Sequence, residues 1–475
     1  MKLTPTKLTL LLACTMTLLT AGCSKQADND NAKSPKVTID PNPYPSTYTP
    51  IEGQPTLITN VTILDGVGNR IENGSIYFAD GKIQALAESG QTLEVPDETA
   101  VIDGTDKWVT PGIIDNHSHL GVYPSPSTRS HSDGNEMTNP VTAQVWAEHS
   151  VWPQDPGFGR ALAGGVTALQ ILPGSANLFG GRSVVLKNVP NRTMQDMKFP
   201  DAPYGMKMAC GENPKRVYGQ KGGPMTRMGN VAGYRQAWSD AQDYMRKWDK
   251  YETDYEAGKD AKAPKRDLKL ETLAGVLNGD IRVHMHCYRA DEMTVMMDVM
   301  QEFDYQIGTF HHAVEAYKIA DKLKENNVCS AMWADWWGFK MEAYDGIREN
   351  IPAVHAAGAC AIVHSDSDLG IQRLNQEAAK AWSDGKRAGL DIPMKDAWTW
   401  LSANPAKSLG IFDKTGSLEK GKQADVVLWN GNPFSTYAKA EHVYIDGGLA
   451  YSLSDSTSWP GSDFELGQVG EGDTK

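Results

Sequence analysis

The chain has 475 residues, a formal net charge of -13 and 40% hydrophobic residues. That is enough apolar material for a large catalytic domain with a smaller one beside it. The acidic balance argues against a nucleic-acid partner, which calls for a basic patch, and does not by itself name a substrate.

In chain order, the N-terminus reads as a targeting segment. Lys2 and Lys7 precede an apolar stretch at residues 8–19, followed by Thr20-Ala21-Gly22-Cys23. The stretch is short for a membrane span, and small residues precede the cysteine, as in a secretory signal. The Ala-Gly-Cys ending resembles a bacterial lipoprotein signal. That resemblance implies removal of residues 1–22 and lipidation of Cys23; the simpler alternative is an ordinary signal peptide cut nearby, giving a soluble secreted protein. With Ser24 after the cysteine, it implies a periplasm-facing protein on the outer membrane, touching the membrane only through its N-terminal lipid. Residues 23–48 are polar and rich in Asp, Asn, Lys and Pro, the composition of a tether.

Residues 49–110 carry short strand signals. Leu57-Ile58-Thr59-Asn60-Val61-Thr62-Ile63-Leu64 alternates and ends in Asp65-Gly66; Ser75-Ile76-Tyr77-Phe78 leads to a turn at Asp80-Gly81 and on to Lys82-Ile83-Gln84-Ala85-Leu86. From Pro111 the pattern changes to apolar runs alternating with helices, which predicts a parallel sheet. Eight runs begin near Ile113, Val166, Ser183, Tyr204, Ile281, Tyr305, Val328 and Cys360. Helical spacing at residues 291–303 (Met293, Met296, Met297, Met300) and 313–326 (Val314, Tyr317, Ala320, Leu323) marks core-facing stripes. Residues 234–263 form an insertion, read as an exposed helix with a weak aromatic stripe. The class is therefore α/β, with a (β/α)8 TIM barrel over residues 111–414. Residues 415–475 become strand-like again. Neither end makes a core alone, so residues 49–110 and 415–475 are expected to join in one small β-sandwich domain. Beyond Cys14 and Cys23 the cysteines are Cys210, Cys287, Cys329 and Cys360. An oxidising compartment permits a disulfide, but their scatter favours buried free thiols.

Several of the apolar runs end in histidines or acids. The first run ends in Ile113-Ile114-Asp115-Asn116-His117-Ser118-His119, and two histidines two residues apart share a strand face. Val283-His284-Met285-His286, Thr309-Phe310-His311-His312 and Val363-His364-Ser365-Asp366 end three later runs. Imidazole and carboxylate donors suit zinc and related divalent ions, and the C-terminal face of a barrel hosts catalysis.

With these residues in view, the chain resembles the amidohydrolase superfamily of metal-dependent hydrolases. The segment from Trp108 to His119 resembles that family's opening strand, and Lys422-Gln423-Ala424-Asp425-Val426-Val427 its closing β segment. His286-Cys287-Tyr288-Arg289-Ala290-Asp291-Glu292 and His312-Ala313-Val314-Glu315-Ala316-Tyr317-Lys318 resemble the imidazolonepropionase-like branch. The resemblance implies His117, His119, His286, His312 and Asp366 as ligands of one or two Zn2+ ions. It selects His286 over His284, which becomes a candidate outer donor, and His312 over His311. For strand four it offers Glu212, in a Gly-Glu-Asn-Pro-Lys segment nearer the open face, in preference to a carboxylated Lys207. Asp366 is the expected proton acceptor. Ser175, Asn177 and Arg182, in the loop after run two, together with Arg289, are candidate substrate contacts, and Lys215 and Arg216 are candidates to bind a substrate carboxylate, with solvated loop charges as the simpler alternative. Trp333, Trp336 and Trp337 are candidate pocket walls.

The implied activity is hydrolysis of an amide, cyclic amide or dipeptide by metal-activated water. A prolidase-like metallo-dipeptidase is the alternative within that chemistry. A surface lipoprotein that binds solute or metal without turnover is the alternative outside it.

Overall fold

The computed structural model describes residues 36–125 and 127–455; the apolar leader and Cys23 lie outside them. Five strands precede the barrel: β1 (Thr56–Leu64), β2 (Arg70–Ala79), β3 (Lys82–Ala87), β4 (Ala100–Asp103) and β5 (Trp108–Pro111). The β2–β3 hairpin turns on Asp80 and Gly81, both at positive φ (53° and 73°), the backbone that a tight two-residue turn needs.

The barrel strands are β6 (Ile113–Ser118), β7 (Val166–Ile171), β8 (Phe179–Lys187), β9 (Gly205–Ala209), β10 (Arg282–His286), β11 (Ile307–His311), β12 (Cys329–Met332) and β13 (Ala361–Val363). They follow one another in chain order around one sheet. β6, β7, β8 and β9 are buried along their whole length, as strands covered on both faces must be. Between β13 and β6 no ladder is found among the described residues. The gap is spanned instead by the Asp366 N–H donating to the His117 carbonyl (3.1 Å) and the Ser365 N–H donating to Asp115 Oδ1 (3.2 Å).

After the barrel come β14 (Val426–Trp429), β15 (Ala440–Ile445) and β16 (Gly448–Ser452). β14 pairs antiparallel with β5, so both ends of the chain share a sheet of order β16-β15-β14-β5-β1-β2-β3, with β4 on β1. Ile58, Ile63, Phe78, Val109, Val426 and Leu428 give this sheet its own core. Full burial of each such side chain is worth about 1.5–3 kcal/mol before chain entropy is counted. Asp425 of the closing motif pins sheet to barrel: it accepts from buried Lys187 on β8 (3.2 Å), from the Thr415 hydroxyl (2.6 Å) and from the Asp446 N–H (3.0 Å).

Six helices pack on or beside the barrel: α1 (Pro156–Ala163), α2 (Glu212–Tyr218), α3 (Arg227–Glu256), α4 (Leu268–Leu277), α5 (Ala290–Phe303) and α6 (Ala320–Glu325). α1 starts where the Asp155 carboxylate accepts from the Gly157 N–H. Further helices follow β12 and β13.

Five expectations are corrected. The barrel sheet is not wholly parallel: β8 runs antiparallel to both neighbours. Only residues 172–178 join β7 to β8, too few for the crossover that a parallel pair requires. The cysteines are not free thiols. Cys210 bridges Cys287 and Cys329 bridges Cys360, because each pair lies at the ends of adjacent strands, with Cα atoms 5.3 and 4.5 Å apart. The aromatic stripe of the insertion is not exposed. Tyr234, Trp238 and Tyr251 are buried, and Trp238 packs its ring against Phe179 and Tyr305. The helical segment after β11 is split into a 3-10 turn (Ala316–Ile319) and the short α6. Finally, residues 36–48 are not a free tether. They lie along the barrel, where the Pro41 and Tyr44 carbonyls accept from the buried cations Arg182 (3.3 Å) and Lys198 (2.6 Å).

Candidate metal centre

Strand alternation sends Ile113, Asp115 and His117 to one face of β6, and His284 and His286 to one face of β10. At the end of β6, His117 Nε2 lies 3.3 Å from His119 Nε2. Asp366 Oδ1 is 3.4 Å from His117 Nε2 and 3.2 Å from His119 Nε2, and its Oδ2 is 3.7 Å from His312 Nε2. The His286 and His312 rings are 4.9 Å apart. The ends of four strands, β6, β10, β11 and β13, therefore bring together the five histidine and aspartate ligands expected from sequence.

Two of those residues sit on an unusual backbone. His312 (φ 59°) and Asp366 (φ 49°) are both left-handed. Such non-glycine residues cost free energy and cluster at functional sites. At His312 the effect is geometric: plain alternation sends neighbours to opposite faces, but here His312 lines the cavity while His311 also lies in the barrel interior, behind His117. His311 Nδ1 lies 2.8 Å from His117 Nδ1, and His311 Nε2 lies 3.0 Å from His284 Nδ1. His311, set aside by register, is thus the direct support of His117, and His284 supports His311 rather than a ligand. His364 packs its ring against both His117 (5.1 Å) and His312 (4.8 Å).

On strand four the preference for Glu212 is corrected. Its carboxylate pairs with Lys340 (3.4 Å) at the cavity wall. Lys207 instead reaches the histidines, with Nζ 3.4 Å from His117 Nε2. It is fully buried and forms no ion pair with a carboxylate among the described residues. Burial pushes its amine down to about 7. The position of β9 explains the choice: Lys207 lies level with His284, inside the barrel, whereas Glu212 begins α2 beyond it.

Burial also pushes His117, His286 and His312 well below the usual imidazole value. They are neutral at pH 7, the form that ligates metal. Burial opposes charge on Asp366, but His312 and His119 beside it hold the carboxyl below its ordinary range. Asp115 accepts from the His117 N–H (3.1 Å), the Ser365 N–H and the Ser365 hydroxyl, and burial raises its carboxyl to about 7. It holds the two walls of the site together.

A divalent ion fits this donor set. One ligand atom each from His117, His312 and Asp366 falls within 4.8 Å of the others, and His286 Nδ1, His312 Nδ1 and both nitrogens of His364 are buried without a partner.

A cavity of about 400 Å³ opens over these groups. Ser175 lines it and accepts from Asn213 Nδ2 (2.9 Å). Of the other candidate substrate contacts only Arg216 lines it. Asn177 is buried and donates to the Glu136 and Asn139 carbonyls and the Thr142 hydroxyl, which makes it a loop clasp. Arg182 points away from the cavity, donating to Thr272 and Pro41 over the Trp146 ring. Arg289 is occupied by Asp291 on the outer surface (3.0 Å). Arg216 lines the cavity and Lys215, one residue earlier on α2, does not. Trp333 stacks on His312 (4.4 Å) and donates to the Ser365 carbonyl (3.2 Å), whereas Trp336 and Trp337 are about half exposed. Tyr288, Phe339 and Lys340 complete the wall, and sequence reasoning missed all three as site residues. Tyr288 lies two residues after His286, a spacing that would have pointed to it.

Residues 279–450 match the model of the amidohydrolase family. The chain is 32% identical over 428 residues to amidohydrolase tasK of Hapsidospora irregularis, covering 83% of this chain and 43% of that protein. It is 38% identical over 100 residues to a 5-methylthioadenosine/S-adenosylhomocysteine deaminase of Halalkalibacterium halodurans, covering 21% of each. The chain thus spans less than half the length of these curated relatives. A crystal structure of an amidohydrolase from Thermotoga maritima MSB8 is 35% identical, with a TM-score of 0.75, over 84% of this chain and 100% of that one. With the barrel, the attached sheet and the site in agreement, the chain belongs to the amidohydrolase family of hydrolases.

Proposed function

We propose that the protein is a metal-dependent hydrolase of a C–N bond in a small molecule: an amide, a cyclic amide or a dipeptide. The observation that carries this reading is the convergence of His119, His312 and Lys207 on His117 and Asp366 at the end of the barrel. His117, His119 and Asp366 would hold one ion, and His286 and His312 a second. Lys207 Nζ lies 3.4 Å from His117 Nε2 and would supply the remaining donor. Its neutral amine adds to carbon dioxide and releases one proton, giving a carbamate with two oxygen donors. Imidazole and oxygen donors of this kind favour zinc. The ion supplies a lowered pKa for the attacking water and polarisation of the scissile carbonyl.

The protein's own groups do the rest. Asp366 accepts the proton of the attacking water and delivers it to the leaving nitrogen. Trp333 and Tyr288 flank His312 and exclude bulk water from that side.

The two disulfides support an oxidising compartment, the periplasm, as the place of work, with Cys23 as a lipid anchor to the outer membrane.

The test is hydrolysis of a panel of amides, cyclic amides and dipeptides by zinc-loaded wild type and Asp366→Asn, read by amine or ammonia release. Turnover by wild type that collapses in the variant is expected. Metal-loaded wild type inert on every class would favour a binding protein.

A further inference from the structure

Asn213 joins two parts of the cavity. Its Nδ2 lies 3.3 Å from His286 Nε2, and its Oδ1 accepts from Arg216 Nη2 and from Lys340 Nζ, each at 3.5 Å. Two cations thus meet one side-chain amide away from a metal-ligand histidine. They differ in how far they are neutralised. Lys340 is paired with Glu212 (3.4 Å) and Glu342 (3.3 Å) and lies over the Tyr288 ring (4.1 Å). Arg216 forms no ion pair with a carboxylate among the described residues, and the Asn213 oxygen is its hydrogen-bond partner. A guanidinium presents several donors in a planar fork that matches a carboxylate. Arg216 is exposed and lines the cavity, and Asn213 engages only its Nη2.

We infer that Arg216 is the specificity-determining residue of the site, accepting a carboxylate carried by the substrate on the far side of its scissile bond from Asp366. The inference rests on the hydrolase reading above. The preferred substrate class is then an N-acylated amino acid or a dipeptide, rather than a neutral amide. Lys340, tied to two acids, orients Asn213 and Tyr288 and adds little charge of its own.

The test uses matched pairs: N-acetyl-L-phenylalanine against N-acetyl-2-phenylethylamine, which lacks only the carboxylate, and equivalent pairs with other side chains. Both binding and hydrolysis are measured on the zinc-loaded full-length protein. Wild type should favour the acid of at least one pair by about 10- to 100-fold, the range of one charge-assisted contact. Arg216→Gln should lose that preference through KM rather than kcat, with an unchanged melting temperature, and Arg216→Lys should restore part of it. Equal treatment of acid and neutral partner by wild type in every pair overturns the inference, as does a preference that survives Arg216→Gln. If nothing is hydrolysed but the acids still bind in an Arg216-dependent way, the hydrolase reading fails and the anion site stands.

Discussion

Asp366 meets His117 twice. Its backbone N–H donates to the His117 carbonyl (3.1 Å), spanning the gap between the first and last barrel strands, and its carboxylate Oδ1 lies 3.4 Å from His117 Nε2. Closing the barrel and assembling the site are therefore one event. The left-handed backbone at Asp366 turns the chain so that both contacts form.

That geometry separates chemistry from stability. Asn tolerates the left-handed conformation about as well as Asp and keeps the backbone contact. Asp366→Asn is expected to lower kcat by about 10²- to 10⁴-fold, the usual worth of a positioned acid–base group, with little change in melting temperature. Steady-state kinetics alongside thermal unfolding checks both halves.

Lys207 carries a pH signature. Its folded-state pKa is pushed down to about 7 from 10.5 by burial, so between those values the unfolded chain binds the extra proton. Stability of the metal-free, carbon-dioxide-free protein therefore rises with pH across that window, at up to about 1.4 kcal/mol per pH unit from this group. The buried histidines are neutral in both states above pH 7.5 and do not contribute there. Denaturant unfolding of wild type and Lys207→Met between pH 7.5 and 9.5 isolates the effect: the slope should fall in the variant. Lys207→Met should also lose metal, measured by elemental analysis.

His311 supports His117 from behind, and His284 supports His311. Outer partners of this kind orient a ligand imidazole and fix its tautomer. His311→Ala should weaken zinc affinity by about 10- to 100-fold in a chelator competition, and His311→Gln, which keeps a hydrogen-bonding group, should recover part of the loss.

The Cys210–Cys287 bridge ties the ends of the strands that carry Lys207 and His286. Each disulfide should contribute about 2–4 kcal/mol. Reductant, or the Cys210→Ser/Cys287→Ser pair, should lower the melting temperature and release zinc more readily; loss of the Cys329–Cys360 bridge should act mainly on stability.

Much of the centre was legible in the chain because ligands at strand ends leave a periodic trace. His117 and His119 are two apart, and His286, His312 and Asp366 close apolar runs. What was not legible follows from geometry that periodicity cannot express. The positive φ at His312 turns its side chain into the site next to His311, against the alternation rule, and no residue pattern announces it. Glu212 against Lys207 turned on how far strand nine runs before α2 begins. Arg182 looked like a site residue because the loop after run two was expected to reach it; β8 begins at Phe179 instead, so Arg182 lies within a strand and its side chain leaves the cavity. The disulfides depend on which strand ends are neighbours, information that the spacing of four scattered cysteines does not contain.

The most direct test of the central claim is anomalous X-ray scattering at the zinc edge from crystals of the zinc-loaded protein. The account predicts a peak at about 2.0–2.2 Å from ligand atoms of His117, His119 and Asp366, with Lys207 extended by a carbamate toward it. Absence of any peak among these side chains in zinc-saturated crystals would contradict it.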